Sequence, residues 1–229
     1  MTTVRGDSPR LSSSTEQRLL ALEARQAGAP VSAAATPEVP VGDPGMIGVP
    51  TFVIGSIALG LALVGFLPAA AAGGALPIII ASTGLGQLVA TIWATRLGQS
   101  AVACIFGVFT GFWLSYAVLL LGLTHGWFGI APEDAAATVS MFLLTWVVAV
   151  ATLTGVTLRL PLAFTALFSL ITLALVLVLL GNELESTGAT KAGGYVVLLF
   201  AGLGVYLFAG AASVATGGKP FPLGKPVSS

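Results

Sequence analysis

The sequence predicts an all-α integral membrane protein with six transmembrane helices and both termini on the cytoplasmic side. Three observations carry this. The chain is 56% hydrophobic and only 8% charged, against about 25% charged residues in an ordinary soluble domain. Six stretches, roughly 47–66, 76–95, 101–123, 138–158, 162–181 and 193–214, contain no Asp, Glu, Lys, Arg or His. Each is long enough as helix to cross a hydrocarbon core, which takes about 20 mostly apolar residues. The remaining charges are sorted by side: the N-terminal segment, Arg96, Arg159, Lys219 and Lys225 supply eight basic residues to one face, whereas the opposite loops hold Lys191 beside Glu133, Asp134, Glu183 and Glu185. Basic loops stay in the cytoplasm, and an even number of spans returns both termini there.

Taken in order, residues 1–45 read as a cytoplasmic tail, because they hold nine of the eighteen charged side chains. No secretory signal is expected, since the first apolar run starts only near Met46 and is too long for a signal core. Within the tail, Ser13-Ser14-Thr15-Glu16 has the spacing of a helix capping box, and a short helix should run through Arg25 and stop at Gly28. Leu19 and Leu22 share a face of it. Isolated helices below about 12–15 residues are weak in water, so this one is expected to be mostly solvated. Residues 29–44, with Pro30, Pro37, Pro40 and Pro44, read as an extended linker. Residues 46–215 form the six-span domain and 216–229 a cytoplasmic C-terminal tail. A β-barrel is excluded because nothing alternates apolar and polar residues over about ten positions. Arg159-Leu160-Pro161 alone joins the fourth and fifth spans, which leaves no room there for a soluble domain.

Several function classes fall away. Nine basic and nine acidic side chains give a net charge of zero, which offers no field for a nucleic-acid backbone. One cysteine, Cys104, and one histidine, His125, cannot build a clustered metal site or a Ser-His-Asp centre. No metal, cofactor or enzymatic activity is expected, since catalysis needs positioned acid–base groups.

Inside the spans only neutral hydrogen-bonding groups remain. Ser and Thr in apolar helices mostly bond back to their own turn or tie neighbouring helices. Gln87 stands apart, because a primary amide in hydrocarbon needs several partners. Glycines at 84, 86, 107, 111, 202, 204 and 210 allow close helix approach. Phe109, Phe112, Trp113 and Tyr116 recur at three- and four-residue steps and form one face of the third span. Such a face is core, lipid-facing, or a hydrophobic gate that closes a pore by dewetting.

The order of motifs resembles the acetate uptake transporter family, from Asp43 to Gly224. Asp43-Pro44-Gly45-Met46-Ile47-Gly48 is similar to the family's Asn-Pro-Ala-Pro-Leu-Gly. The stretch from Phe106 ends in Phe112-Trp113; Phe168-Ser169-Leu170 and Gly181-Asn182 recur in the fifth span; Tyr206-Leu207 and Pro222-Leu223-Gly224 match the last span and its exit. The resemblance implies a protomer with its own pathway, assembled into a hexamer in the cell membrane and passing acetate and related small carboxylates. It also implies a constriction at Phe52, Phe109 and Leu170, with Asp43, Pro44 and Gly48 in the opening motif and Asn182 as a polar residue of the pathway; Gln87, set apart by its amide, is the other polar residue expected along it. The chain departs from the family at Phe109, where a tyrosine is usual, at Asp43 and Met46, and at Ala94, where a carboxylate can stand. A constriction without a hydroxyl gives an anion no hydrogen bond, which favours the protonated acid. The competing reading is a non-transporting oligomeric scaffold that recruits a partner through its N-terminal tail. A transporter should show a wet path that pinches at the constriction; a scaffold should be packed solid there.

Overall fold

The computed structural model describes Ser14, Thr15, Gln17, Arg18, Leu22, Glu23 and residues 42–228. Those six N-terminal residues are helical, and they fall within the short helix expected at 13–25. The rest of that helix, and the linker up to residue 41, lie outside the described residues.

Residues 42–228 form a bundle of helices separated by short turns. The long helices are α1 (Gly45–Val64), α2 (Leu85–Arg96), α3 (Ser100–His125), α4 (Ala135–Thr157), α5 (Leu162–Glu183) and α6 (Thr187–Ala215). Six segments are long and apolar enough to cross a membrane, in the places the hydropathy pattern gives. Glycine ends two of them: Gly65 and Gly126 take left-handed φ values of 83° and 67° after α1 and α3, a conformation costly for residues with a Cβ.

The second span, Gly73–Arg96, is not one regular helix. A 3-10 turn, Ala69–Ala75, leads to Pro77, then to a π-helical stretch, Ile78–Gly84, and only then to α2. Proline lacks an N–H and its ring crowds the carbonyl four residues back, so the regular ladder cannot run through it. The apolar pattern at 76–95 holds no trace of this change of pitch.

Consecutive spans are neighbours: α1 packs on the second span, that span on α3, α4 on α5, and α5 on α6, while α6 returns to α1 and α3 touches α4 only lightly. At one end lie Gly42, the turn around Gln99, and Leu158, whose carbonyl accepts from the backbone N–H of Val227. Arg96, Arg159, Lys219 and Lys225 belong to this end; we call it the tail end.

Without water between helices, association in lipid rests on van der Waals fit and interhelical hydrogen bonds. Glycine supplies much of the fit. A Cβ at Gly194 on α6 would lie 2.8 Å from the Leu63 Cβ and 3.0 Å from the Val64 backbone nitrogen of α1. Gly204 faces Val53, and Gly84 and Gly86 of the second span face Leu114 and Thr51. Gly202 differs, since a Cβ there meets nothing within 4 Å. Hydroxyls mostly bond within their own helix, as Thr91, Thr110 and Thr152 do to carbonyls four residues back. Thr154 and Thr172 also bond to each other at 2.9 Å, tying α4 to α5.

Gly194→Ala should cost ~1–3 kcal/mol by overpacking α1 against α6, measured as a lower Tm of the detergent-solubilised protein. Gly202→Ala should leave the Tm unchanged. Equal Tm values for the two variants would contradict this packing of α6.

Candidate functional site

Two cavities follow one another inside the bundle. The larger, about 450 Å3, lies toward the tail end and is lined by Asp43, Val49, Gln87, Phe106, Phe168, Leu207 and Phe221 among others. The smaller, about 60 Å3, is lined by Leu59, Leu63, Trp113, Val197 and Phe200 among others. Among the described residues, three side chains line both: Phe52 of α1, Phe109 of α3 and Ile171 of α5. They form the wall between the two spaces.

Aromatic packing closes that wall. The Phe52 and Phe109 rings meet edge to face with centroids 5.0 Å apart, an arrangement that aligns the ring edge of one with the electron-rich face of the other. Phe200 stacks on Phe52 at 5.7 Å, and Phe168 braces Phe109 at 5.7 Å. Phe52, Phe109, Phe168 and Ile171 are all buried. The glycine contacts described above let α1, the second span and α3 approach closely enough for the rings to touch.

The opening motif sits at the tail-end rim of the larger cavity. Asp43 Oδ1 accepts from the Gly45 N–H at 2.8 Å, in the first turn of α1, and Pro44 at the helix start is fully buried. A carboxylate is favourable at a helix N-terminus. It keeps the acceptor role that an asparagine would fill and gives up only the amide donor. Gly48 leaves room for the Phe106 ring, which a Cβ would strike. Its carbonyl accepts from Gln87 Nε2 at 2.6 Å, a contact that links α1 to α2 and fixes which end of the amide is the NH2.

Gln87 is therefore held by its donor end, while its Oε1 is buried without a hydrogen-bond partner. Among the described residues, Thr83 Oγ1 and Trp113 Nε1 share that condition. Leaving such a group unpaired costs about 1–3 kcal/mol. Gln87 belongs to the lining of the larger cavity and Trp113 to that of the smaller, while the unpaired atoms themselves are buried. Among the described residues, the ionisable side chains lining these spaces are Asp43 on the larger and Tyr116 on the smaller, so the walls offer no ligand set to a metal.

Phe52 and Phe109 thus come together, and Gln87 and Asp43 join them along the larger cavity. Two expected residues stand elsewhere. Leu170 is half-buried against the core and lines neither cavity; one residue on, a turn of about 100° along the helix, Ile171 takes the position on the wall. Asn182 also lines neither. Its Nδ2 donates to the Ala136 carbonyl at 2.9 Å and to Ser140 Oγ at 2.7 Å, so it ties α5 to the start of α4. Reasoning from the sequence passed over Phe200, although Phe200 and Leu207 stand seven residues apart, two helical turns, on one face of α6.

Residues 26–222 match the model of the GPR1/FUN34/yaaH family. Among curated proteins, the chain is 32% identical over 150 residues to accumulation of dyads protein 2 of Saccharomyces cerevisiae, covering 61% of this chain and 52% of that protein. It is 30% identical over 129 residues to ammonia transport outward protein 2 of the same yeast, covering 54% of this chain and 44% of that protein. The chain thus spans about half the length of the curated relatives it matches. Among solved structures, the bacterial acetate channel SatP has the same fold, with a TM-score of 0.72 at 23% identity over 80% of this chain and 99% of that one. With its six membrane-spanning helices and a family match over most of its length, the chain belongs to the GPR1/FUN34/yaaH family.

Proposed function

We propose that the chain passes acetate or similar small monocarboxylic acids across the cytoplasmic membrane, as the protonated acid, along the axis of the two cavities. The observation that carries this reading is the paired cavities divided by Phe52, Phe109 and Ile171. A scaffold needs no such axis, and nothing in the described residues favours that role. The solved fold relative is an acetate channel, and one curated relative is named for outward ammonia transport; both names describe movement of small solutes.

Size and charge define the substrate class. A cavity of about 60 Å3 beyond the wall has room for a few water-sized groups. An apolar neck gives a carboxylate nothing in exchange for its lost hydration, whereas a protonated acid has lost its charge before entering. Gln87 Oε1 and Trp113 Nε1 are buried while the neck is closed; parting of the rings uncovers them, so that the acid's O–H donates to the one and its carbonyl accepts from the other. The neck opens when the Phe52 and Phe109 rings part, and water then wets the gap. The basic tail end faces the cytoplasm in this reading, and any proton coupling is carried by the acid itself. Assembly into a hexamer, each protomer with its own pathway, completes the proposal; native mass measurement tests it.

Reconstituted protein should accelerate labelled acetate uptake into liposomes above the protein-free rate, and the excess should grow as external pH falls. Uptake equal to that of protein-free liposomes would remove the carboxylate assignment. Phe109→Ala, which takes one ring from the neck, should raise the leak of small neutral solutes such as glycerol. Phe109→Tyr places a hydroxyl at the neck and should raise the acetate-to-glycerol ratio; an unchanged ratio would show that position 109 does not control passage.

A further inference from the structure

The segment that follows α6 does not leave the bundle. After Ala215 it turns back: the Gly218 N–H donates to the Ser213 carbonyl at 2.7 Å, and Ser213 Oγ donates to the Lys219 carbonyl at 2.9 Å. Tyr206 Oη then donates to the Pro222 carbonyl at 2.8 Å, with the Tyr206 ring 5.3 Å from that of Phe221. The backbone N–H of Ala163, at the start of α5, donates to the Leu223 carbonyl at 2.9 Å, and the N–H groups of Val227 and Ser228 both donate to Leu158. Gly210 makes the close approach possible, since a Cβ there would lie 3.1 Å from the Phe221 Cβ. Pro220, Phe221 and Leu223 consequently line the larger cavity beside α6, although they belong to no helix.

We propose that this segment, residues 218–223, is a latched wall of the larger cavity in which Phe221 sets the width of the tail-end mouth. The inference rests on reading the axis as a passage. It gives that passage a second point of selection: the mouth sieves solutes by bulk before the aromatic neck sieves them by hydration. Three features support a wall over a loose tail. It is held from both neighbours, by Tyr206 and Ser213 of α6 and by Ala163 at the start of α5. Its prolines, Pro220 and Pro222, restrict the backbone on either side of Phe221. Its apolar side chains complete a surface that α5 and α6 would otherwise leave open.

The test does not depend on transport. In a Cys104→Ser background, Leu207→Cys places one thiol on the larger cavity, and its modification is timed with a small and a bulky methanethiosulfonate reagent in proteoliposomes. Adding Phe221→Ala should raise the rate for the bulky reagent about tenfold while the small reagent changes little, as removal of a steric constriction requires. Tyr206→Phe, which removes only the latch hydroxyl, should act in the same direction with a smaller effect. In a second arm, Gly210→Cys with Phe221→Cys should form an intramolecular disulfide under mild oxidation, because their Cβ positions approach the usual disulfide separation of about 3.5–4.5 Å. An unchanged ratio of bulky to small reagent rates in Phe221→Ala, or failure of the pair to cross-link, would overturn the proposal. Acetate flux measured on the same preparations reports separately on the transport reading, so the loss of either is recognised on its own.

Discussion

The contact between the Phe52 and Phe109 rings decides what the interior of this bundle can do. Through it α1 and α3 meet on the axis, and through it the space inside the helices becomes two cavities and not one channel. The contact depends on small residues some distance away. Gly48 yields to Phe106, Gly55 to Thr83, and Gly86 to Thr51, so three helices converge to a separation that a pair of rings can bridge. Phe200 and Phe168 hold the rings from behind, which makes the closure a packed cluster with two supporting partners.

Polar chemistry along the axis is sparse and directional. The hydrogen bond from Gln87 to the Gly48 carbonyl does structural work between two helices, and by holding the donor end it commits the Oε1 to the role of acceptor. Trp113 contributes a donor on the far side of the rings. A solute that both donates and accepts can be passed from one to the other, and a bare anion finds little on the near side. Asp43, at the rim, adds a negative charge where a solute would first enter. These features all discriminate by protonation state, whereas the segment around Phe221 discriminates by bulk.

Much of this was legible in the sequence. Uncharged stretches indicated the number and approximate limits of the spans, and the family resemblance pointed to Phe52 and Phe109. The inward register of α5 was not legible, and the reason is physical. A helix that is hydrophobic all round carries no amphipathic stripe, so Leu170 and Ile171 look equivalent until a neighbouring helix chooses between them. Asn182 drew attention as a polar group near a span end, but its partners, Ala136 and Ser140, lie far away in sequence. The π-helical turn at Ile78–Gly84 and the fold-back of the C-terminal segment were hidden for related reasons. One is a change of pitch within uniform apolar composition; the other depends on hydrogen bonds from Tyr206, Ser213 and Ala163 to carbonyls of the C-terminal segment, and residue types do not reveal which carbonyl a hydroxyl or N–H will find.

The central claim, that the rings of Phe52 and Phe109 with Ile171 separate two spaces along the axis, is tested most directly by sided chemical labelling. With Cys104 replaced by Ser, Val49→Cys and Leu63→Cys place single thiols on the larger and the smaller cavity. A membrane-impermeant charged thiol reagent added at the tail end should modify Val49→Cys and leave Leu63→Cys unmodified. Modification of both positions from the same end would show that the rings form no barrier between them.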